Sequence, residues 1–565
     1  MAYIDKHGVS YTRGGNTLIH CPRYIEGEYI IPESVKKIKG GIWPLNGGAF
    51  YGCSELTSII LPNSLTEIGD YAFRGCSSLT SITIPNNVTK IGYGAFEGCS
   101  SLTYVTIPDS VTKISRCAFK DCKALTTIHI PNTITKIEDS AFEGCSGLLS
   151  INVPNSVTKI GEHAFDGCSD AVVIIPNSVK EIYKNSIAGV FCILSNNPCF
   201  QNIDNDTIII NAHLSDDFAY KDNSQKELIA CRKRVRDHIS IPNSVVVINA
   251  RAFEGCRSLV SISIPNSVSE IGENAFRDCS RLSSVTIPDS VTKIKDGTFE
   301  DCMGLTSILI PNSVSEIGND AFRGCSSLTS VIIPDSVTKI GNGAFEGCRS
   351  LVSISIPNSV SEIGENAFRG CQGLVSVVIP KNVSVICNGV FCGCRSLTSV
   401  MIPDSVTKIG DCVFKNCVSL SSFLVPSNAK IGNNAFEGCS GLTSFTIPTS
   451  VKTICGRTFK GCSGLTSITI PDSVTIIGDR AFQDCLELTT ISIPESVVEI
   501  KGKAFKNCAK LTSITLPNSL TIVSKDSFDF EIYSQIKEIR VPHGQKQRFC
   551  ELFQRNAIKN KMVEY

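Results

Sequence analysis

The chain has little of what marks a nucleic-acid binder, a membrane protein or an enzyme. Its 53 basic and 53 acidic residues cancel, which argues against general binding to nucleic acid, where affinity comes largely from neutralised phosphates. No apolar run approaches the roughly 20 residues of a membrane span. The opening, MAYIDKHGVSYTRGG, lacks the continuous apolar core of a secretory leader. The last residues, NKMVEY, carry no lipidation motif or hydrophobic tail, so the default expectation is the cytoplasm. The seven histidines, at 7, 20, 129, 163, 213, 238 and 543, are scattered. No H-E-x-x-H, P-loop, G-x-S-x-G or dinucleotide fingerprint is present. No catalytic, cofactor-binding or metal-ligating residue is therefore assigned, and no cofactor is expected. Among 565 residues there are one tryptophan and four methionines, a bias expected of a template copied many times.

What is there is a repeat. Prolines fall every 23 residues from Pro62 to Pro154 and from Pro242 to Pro426. One 22-residue step leads to Pro448, and the period resumes to Pro517. The shared pattern is L-x-x-I-x-I-P-[ND]-S-V-x-x-I-G-x-x-A-F-x-G-C. Nineteen of the 27 phenylalanines hold its F position, and 18 of the 28 cysteines hold its C position.

Each part has a physical reading. In LTSITIP the apolar residues stand two apart, which is strand spacing. Proline then ends the strand, because it cannot continue a central ladder. The [ND]-S pair is turn chemistry. V-x-x-I starts a second short extended or turning segment that ends at glycine. In A-F-x-G-C the apolar residues share one side of a single helical turn. One such unit cannot bury its own apolar side, so stacking must supply the stability. The predicted fold class is a curved repeat solenoid of 23-residue coils, with parallel β-strands about 4.8 Å apart, short helical turns and a cap at each end.

The stretch LTSITIPNNVTKIGYGAFEGC, residues 79–99, resembles the BspA-type (Treponema-type) leucine-rich repeats, and the resemblance covers nearly the whole chain. It departs from the usual L-x-x-L-x-L-x-x-N-x-L in having Ile in the strand and Pro-x-Ser after it. The resemblance implies a bacterial or protist surface protein that binds proteins of a host or a neighbouring cell.

The pattern breaks between about 185 and 241. On its far side LIACRKRVRDHISIPNSV (228–245) resembles LIHCPRYIEGEYIIPESV (18–35). The expected organisation is an N-terminal opening unit and cap over 1–48, a first leucine-rich repeat array over 49–184, and an irregular insertion with a second opening unit over 185–241. A second array over 242–535 and a C-terminal cap over 536–565 follow. The middle segment is too apolar for a flexible tether and reads as an insertion in a continuous or bent solenoid. In the last cap, 536–542 reads as the final strand and 543–556 as a short helix burying Phe549, Leu552 and Phe553. Trp43, in the Gly-rich insertion of the first coil, is read either as an interface anchor or as packing on that coil.

The cysteine file supplies one thiol per coil along a line. Such a file cannot wrap a zinc ion, and parallel Cβ vectors suit a disulfide poorly. The cysteines are expected to be buried free thiols acting as small apolar residues. Cys387, Cys392, Cys394, Cys412 and Cys417 form a denser group that could hold a metal or a redox pair, although their directions should diverge.

Charges alternate by coil. One file reads Glu254, Arg277, Glu300, Arg323, Glu346, Arg369, and another Glu270, Lys293, Glu316, Lys339, Glu362. Stacking in register would set opposite charges side by side and disfavour slipped registers. In the first half Lys90, Lys113, Lys136 and Lys159 make a basic stripe, read as a solvated face or a seat for an acidic partner.

The outward strand positions are mostly Ser or Thr. In the second array one file changes to Leu309, Ile332, Ser355, Val378, Met401, Leu424. Leu309, Ile332, Val378, Met401 and Leu424 are the candidate partner-binding residues, because a contiguous exposed apolar patch invites protein contact. The bland alternative is that a loop covers the file. A flat Thr-bearing face that orders water or ice conflicts with the irregular occupancy and the expected curvature. The expected function is thus a non-enzymatic protein-binding scaffold, adhesin-like or at the cell surface. The alternative is an intracellular interaction scaffold or regulator.

Overall fold

The structure, a computed structural model, describes residues 2–42, 47–187, 190, 192–194, 208–209, 213–214, 218–232, 237–421, 424–524, 526–528, 536–553 and 556–565. Trp43 lies outside the described residues. The chain divides into two compact units, Met1–Arg234 and Val235–Tyr565.

The first unit opens with an antiparallel meander of Tyr3–Ile4, Ser10–Tyr11 and Thr17–His20. The Tyr11 and Tyr29 hydroxyls share a buried hydrogen bond, and Tyr29 also donates to Asp5 Oδ2 at 2.5 Å. Parallel strands follow, one per coil, through Leu56–Ile60, Ser81–Thr83, Tyr104–Thr106, Thr127–His129, Ser150–Asn152 and Val172–Ile174. Their register is fixed at one period, with Tyr104 beside Ser81 and Thr127. The V-x-x-I segments make a second set of short parallel strands, such as Lys113–Ile114 beside Lys136–Ile137.

A second antiparallel meander, His213–Leu214, Phe218–Tyr220 and Glu227–Cys231, lies near the end of this unit. It repeats the first in detail. Tyr220 faces Leu228 as Tyr11 faces Leu18, and a register irregularity sits at both tyrosines. The shared L-I-x-C of the sequence is the third strand of both meanders.

The second unit carries the same two strand sets, from His238–Ser240 to Ser513–Thr515. It ends with Glu538–Val541, the helix Lys546–Leu552 and a further parallel strand, Met562–Glu564. That strand lies beyond the one taken from the sequence as the last. The helix buries Phe549 and Cys550, with Phe553 at its end, whereas Leu552 is half-buried.

Three ladders run along each unit. The phenylalanines stack at 4.9–5.8 Å between ring centroids, Phe50 to Phe165 in the first unit and Phe253 to Phe528 in the second. Their planes lie nearly parallel, as between Phe73 and Phe96 at 1°, within the range of favourable ring stacking. Beside them, the file thiols from Cys76 to Cys168 and from Cys279 to Cys508 donate to the phenylalanine carbonyl of the preceding coil. Cys99 to Phe73 is 3.2 Å, and Cys348 to Phe322 is 3.2 Å. That same carbonyl accepts the N–H of its own coil's cysteine, closing the turn. The third ladder is made of hydroxyls. Ser156 donates to Ile134 O at 2.6 Å and Ser336 to Val314 O at 2.7 Å, each reaching back one coil. Ser and Thr thus satisfy backbone acceptors at most turns after proline, while the buried Ser178, Ser267 and Ser496 hydroxyls at the same position have no hydrogen-bond partner among the described residues.

Two left-handed positions recur per coil. The one before cysteine holds Gly, Asp or Asn, such as Gly98 (φ +75°), Asp121 (φ +59°) and Asn416 (φ +60°). The one before alanine also accepts bulky residues, among them Tyr71, His163, Arg480 and Lys503. Such residues rarely adopt positive φ. The N–H of Tyr71 donates to Tyr93 O at 2.7 Å, that of Arg480 to Gly502 O at 2.9 Å and that of Lys503 to Asp526 O at 2.9 Å, each a carbonyl of the next coil, so the stack over-determines the conformation.

Candidate interaction surface

Strand alternation decides which side chains can meet a partner. In Ser307–Leu309, Ser330–Ile332, Ser376–Val378 and Ser399–Met401 the middle residue is buried and the two flanking ones are exposed. Leu309 is 65 % exposed, Ile332 67 %, Val378 56 %, Met401 67 % and Leu424 85 %. Side chains this open have no loop of the described chain over them. Leu309 stands in register with Ile332, Ile332 with Ser355, and Val378 with Met401. Five coil steps of about 4.8 Å give the file a length of roughly 24 Å. The exposed serines 307, 330, 353, 376 and 399 run beside it.

Two residues that sequence reasoning missed widen the file where Ser355 interrupts it. Val352 and Val375 are exposed at a position that in most coils holds Ser or Thr, with Leu149 and Val260 as further exceptions. There the hydroxyl reaches back to the previous coil, as from Thr306 to Ser283 O at 3.3 Å and Thr329 to Thr306 O at 3.2 Å. Coils 352 and 375 give up that bond and expose valine instead. The L-V-S that replaces L-T-S there also occurs at 259–261, so the tripeptide alone does not single out the exposed pair.

In the first unit the corresponding file reads Ile60, Thr83, Thr106, His129, Asn152, Ile174. Only its two ends are apolar. Thr80, Thr103 and Thr126, three residues before the file, keep the back-bonds, with Thr103 to Thr80 O at 3.0 Å, whereas Leu149 at the same place is exposed.

The other candidates resolve as follows. Charges meet across coils: Arg277 reaches Glu300 at 3.1 Å, Lys293 reaches Glu316 at 3.0 Å and Lys339 reaches Glu362 at 3.3 Å. Glu270 pairs with Lys295, not with Lys293 as the alternation implied. The basic stripe is neutralised at its ends, Lys90 by Glu67 at 2.8 Å and Lys159 by Glu181 at 2.7 Å. Lys113 and Lys136 remain side by side in its middle. Within the dense cysteine group, the Cys394 and Cys417 thiols donate to Phe368 O and Phe391 O, while Cys387, Cys392 and Cys412 are half-buried. Among the described residues no three His, Cys, Asp or Glu side chains converge as a metal set, and no helix is long and apolar enough to cross a membrane.

Most file thiols are unreactive by environment; Cys53 departs, its pKa lowered chiefly by its hydrogen bond with Cys21. Burial pushes Cys99, Cys168 and Cys462 up to about 12, so the thiolate, the nucleophilic form, is scarce at neutral pH.

Comparison with known proteins follows this architecture. Residues 43–172, 231–349, 315–442 and 429–559 match the BspA type leucine rich repeat region. A leucine-rich repeat protein from Bacteroides ovatus is 30 % identical, with a TM-score of 0.52, over 63 % of this chain and 98 % of that one. A leucine rich cell surface protein from Faecalibacterium prausnitzii is 29 % identical, with a TM-score of 0.31, over 63 % of this chain and 94 % of that one. The T. pallidum leucine rich repeat protein is 30 % identical, with a TM-score of 0.27, over 38 % of this chain and 88 % of that one. No curated protein matches. With the coil pattern running through both units and the matched segments spanning most of the sequence, the chain belongs to the BspA-type leucine-rich repeat family.

Proposed function

We propose that the protein is a non-catalytic scaffold that binds another protein through the apolar strand file from Leu309 to Leu424. The carrying observation is that file: five large apolar side chains, each more than half exposed, on a face whose other outward positions are mostly Ser and Thr. Exposed apolar strips of this kind mark protein-contact sites. The partner presents an apolar strip of similar length, flanked by groups that hydrogen-bond to the serine row. Binding without catalysis fits the histidine environments. Among the described residues, His163 meets Asp166 through Nδ1 at 3.0 Å and Asn185 through Nε2 at 3.1 Å, so both its ring nitrogens are engaged within the coil stack, while His238 Nδ1 meets Ser261 Oγ at 2.6 Å at an exposed strand position with no carboxylate paired to the imidazole. We propose further that the scaffold acts at the cell surface as an adhesin-like protein, the role the family resemblance implies.

The test uses the full chain with Met401→Lys and Leu424→Lys together, and Thr83→Lys as the control on the polar face. Circular dichroism should be unchanged in both. Proteins retained from surface-labelled host or neighbouring cells should bind wild type and the control alike, and the double variant at least about tenfold less, as expected when two central contacts are lost. Equal retention would remove this face as the site. Protease treatment of intact native cells checks the compartment: digestion of this chain while a cytoplasmic control survives is expected, and protection until lysis would favour an intracellular scaffold.

A further inference from the structure

The first unit carries a second feature, of different chemistry, on the side of the coils formed by the A-F-x-G-C turns. Three successive coils place glycine before cysteine, at Gly52, Gly75 and Gly98, and together they floor a cavity of about 390 Å³. A Cβ at Gly75 or Gly98 would meet nothing nearer than the preceding glycine, at 3.7 Å, so the absence of side chains is what opens the trough. Asp121 occupies the next position and closes one end. Arg23 stands at the other, 3.4 Å from where a Cβ on Gly52 would lie.

The two ends are opposite in charge and both are available. Arg23 stacks over the Tyr51 ring at 5.2 Å, which fixes its guanidinium without neutralising it. Its guanidinium and the Asp121 carboxylate have no ion pair or side-chain hydrogen bond among the described residues. Between them Arg74 pairs with Glu97 at 3.1 Å and lies over Tyr71 at 5.5 Å, so the charges of the wall offset each other. The floor amides are spent: Gly52 N–H donates to Arg74 O, Gly75 to Glu97 O and Gly98 to Lys120 O, each at 2.8 Å. A ligand that fits must therefore be slim in its middle and carry its charges at its ends.

We propose that this trough binds an extended peptide segment whose acidic side chain pairs with Arg23, whose basic side chain pairs with Asp121, and whose intervening residues are small. Three coil steps of about 4.8 Å span roughly 14 Å, which is about four residues of extended chain at roughly 3.3 Å each. Acid and base therefore stand four residues apart in the ligand. The volume lies within the usual range of ligand sites. The site shares no residue with the strand file of the second unit, so either can fail without the other.

The experiment is calorimetric titration of the full chain at low ionic strength with acetyl-Asp-Ala-Ala-Ala-Lys-amide. The controls are acetyl-Asp-Lys-Ala-Ala-Ala-amide, with the charges adjacent, and the neutral Asn/Gln analogue. The spaced peptide should bind, and each control at least about tenfold more weakly. Arg23→Ala and Asp121→Asn should each weaken it about tenfold, the loss expected for one charge-assisted contact. Gly75→Asn should abolish binding by filling the floor. Asparagine is tolerated there, because Asn416 and Asn507 hold the same position with φ of +60° and +58° in the second unit. Three results would each overturn the proposal: no binding to wild type at millimolar peptide, equal binding of the adjacent-charge control, or unchanged affinity in Gly75→Asn. A loss in Arg23→Ala without one in Asp121→Asn would also overturn it, as it would mean only a general anion seat at one arginine.

Discussion

The two units are built on one template and differ in what they leave outside. Their interiors match: both stack phenylalanine rings and bond most file thiols to the carbonyl behind them. Their surfaces diverge. The first unit keeps a mostly polar strand face, with Ile60, Tyr104, Leu149 and Ile174 exposed at separate positions, and opens a charged trough on its turn side, whereas the second places an exposed apolar side chain on each of six successive coils of strand face. Function in a repeat of this kind is written in positions the ladders do not need. Those positions can change without touching the stack, because each coil contacts only its neighbours.

The shared interior is tested by the largest expected effect. Cys122→Asp in the first unit and Cys348→Asp in the second each place a carboxylate where the wild-type side chain is fully buried. Both should cost about 3–5 kcal/mol, read as a shift of the denaturation midpoint in urea. A large effect in one unit and none in the other would break the equivalence of the two cores.

Acid sharpens the comparison at an intermediate scale. In the second unit Glu437 is partly buried, which alone would raise its pKa. Asn434, Lys415 at 3.0 Å and Lys460 at 3.1 Å nevertheless hold it down to about 2. In the first unit Glu97 holds the same position after phenylalanine but meets Arg74, and burial prevails and raises it. The two should respond in opposite senses. A depressed carboxylate contributes stability above its unfolded value near 4.5 that is lost as pH falls towards 2. A raised one contributes at low pH and loses that contribution as pH climbs through its folded value. Glu437→Gln should therefore destabilise at pH 7 and cease to matter near pH 2, while Glu97→Gln should be neutral or stabilising at pH 7. Denaturation midpoints at pH 7, 4 and 2 would show both, and parallel pH profiles would refute the contrast.

The smallest effect concerns backbone strain. Lys503, at φ +55°, should gain about 0.5–1 kcal/mol on replacement by glycine, the relief of a left-handed lysine less the added freedom of the unfolded chain. A loss of stability on thermal melting would mean that the Lys503 side chain contributes more than its backbone costs.

The coil was legible in the sequence because its signals are local: strand alternation, a proline stop, and a phenylalanine and a cysteine three apart. The family followed from the same residues. The candidate strand file was legible because it departs from a regular background. Its widening at Val352 and Val375 was not, since only the hydroxyl back-bonds of neighbouring coils show that a threonine there has a task to give up. The left-handed tyrosine, arginine and lysine residues could not be read either. Their conformation is imposed by a carbonyl one coil away, and nothing in their own chemistry asks for it. The trough escaped notice for the opposite reason. Its floor is three glycines that the period presents as ordinary turn residues, and its two ends lie about a hundred residues apart in the chain.

The buried thiols have one more consequence. Folded, the chain presents an almost inert sulfur surface to whatever redox medium surrounds it, since most of its cysteines are out of reach. Unfolded in an oxidising medium, it would release 28 thiols at once into a pool of mismatched crosslinks. Unfolding there acts as a ratchet: the molecule that loses its shape cannot regain it. Persistence outside a reducing compartment would then be governed by how slowly the stack opens, and not by how favourable its equilibrium is.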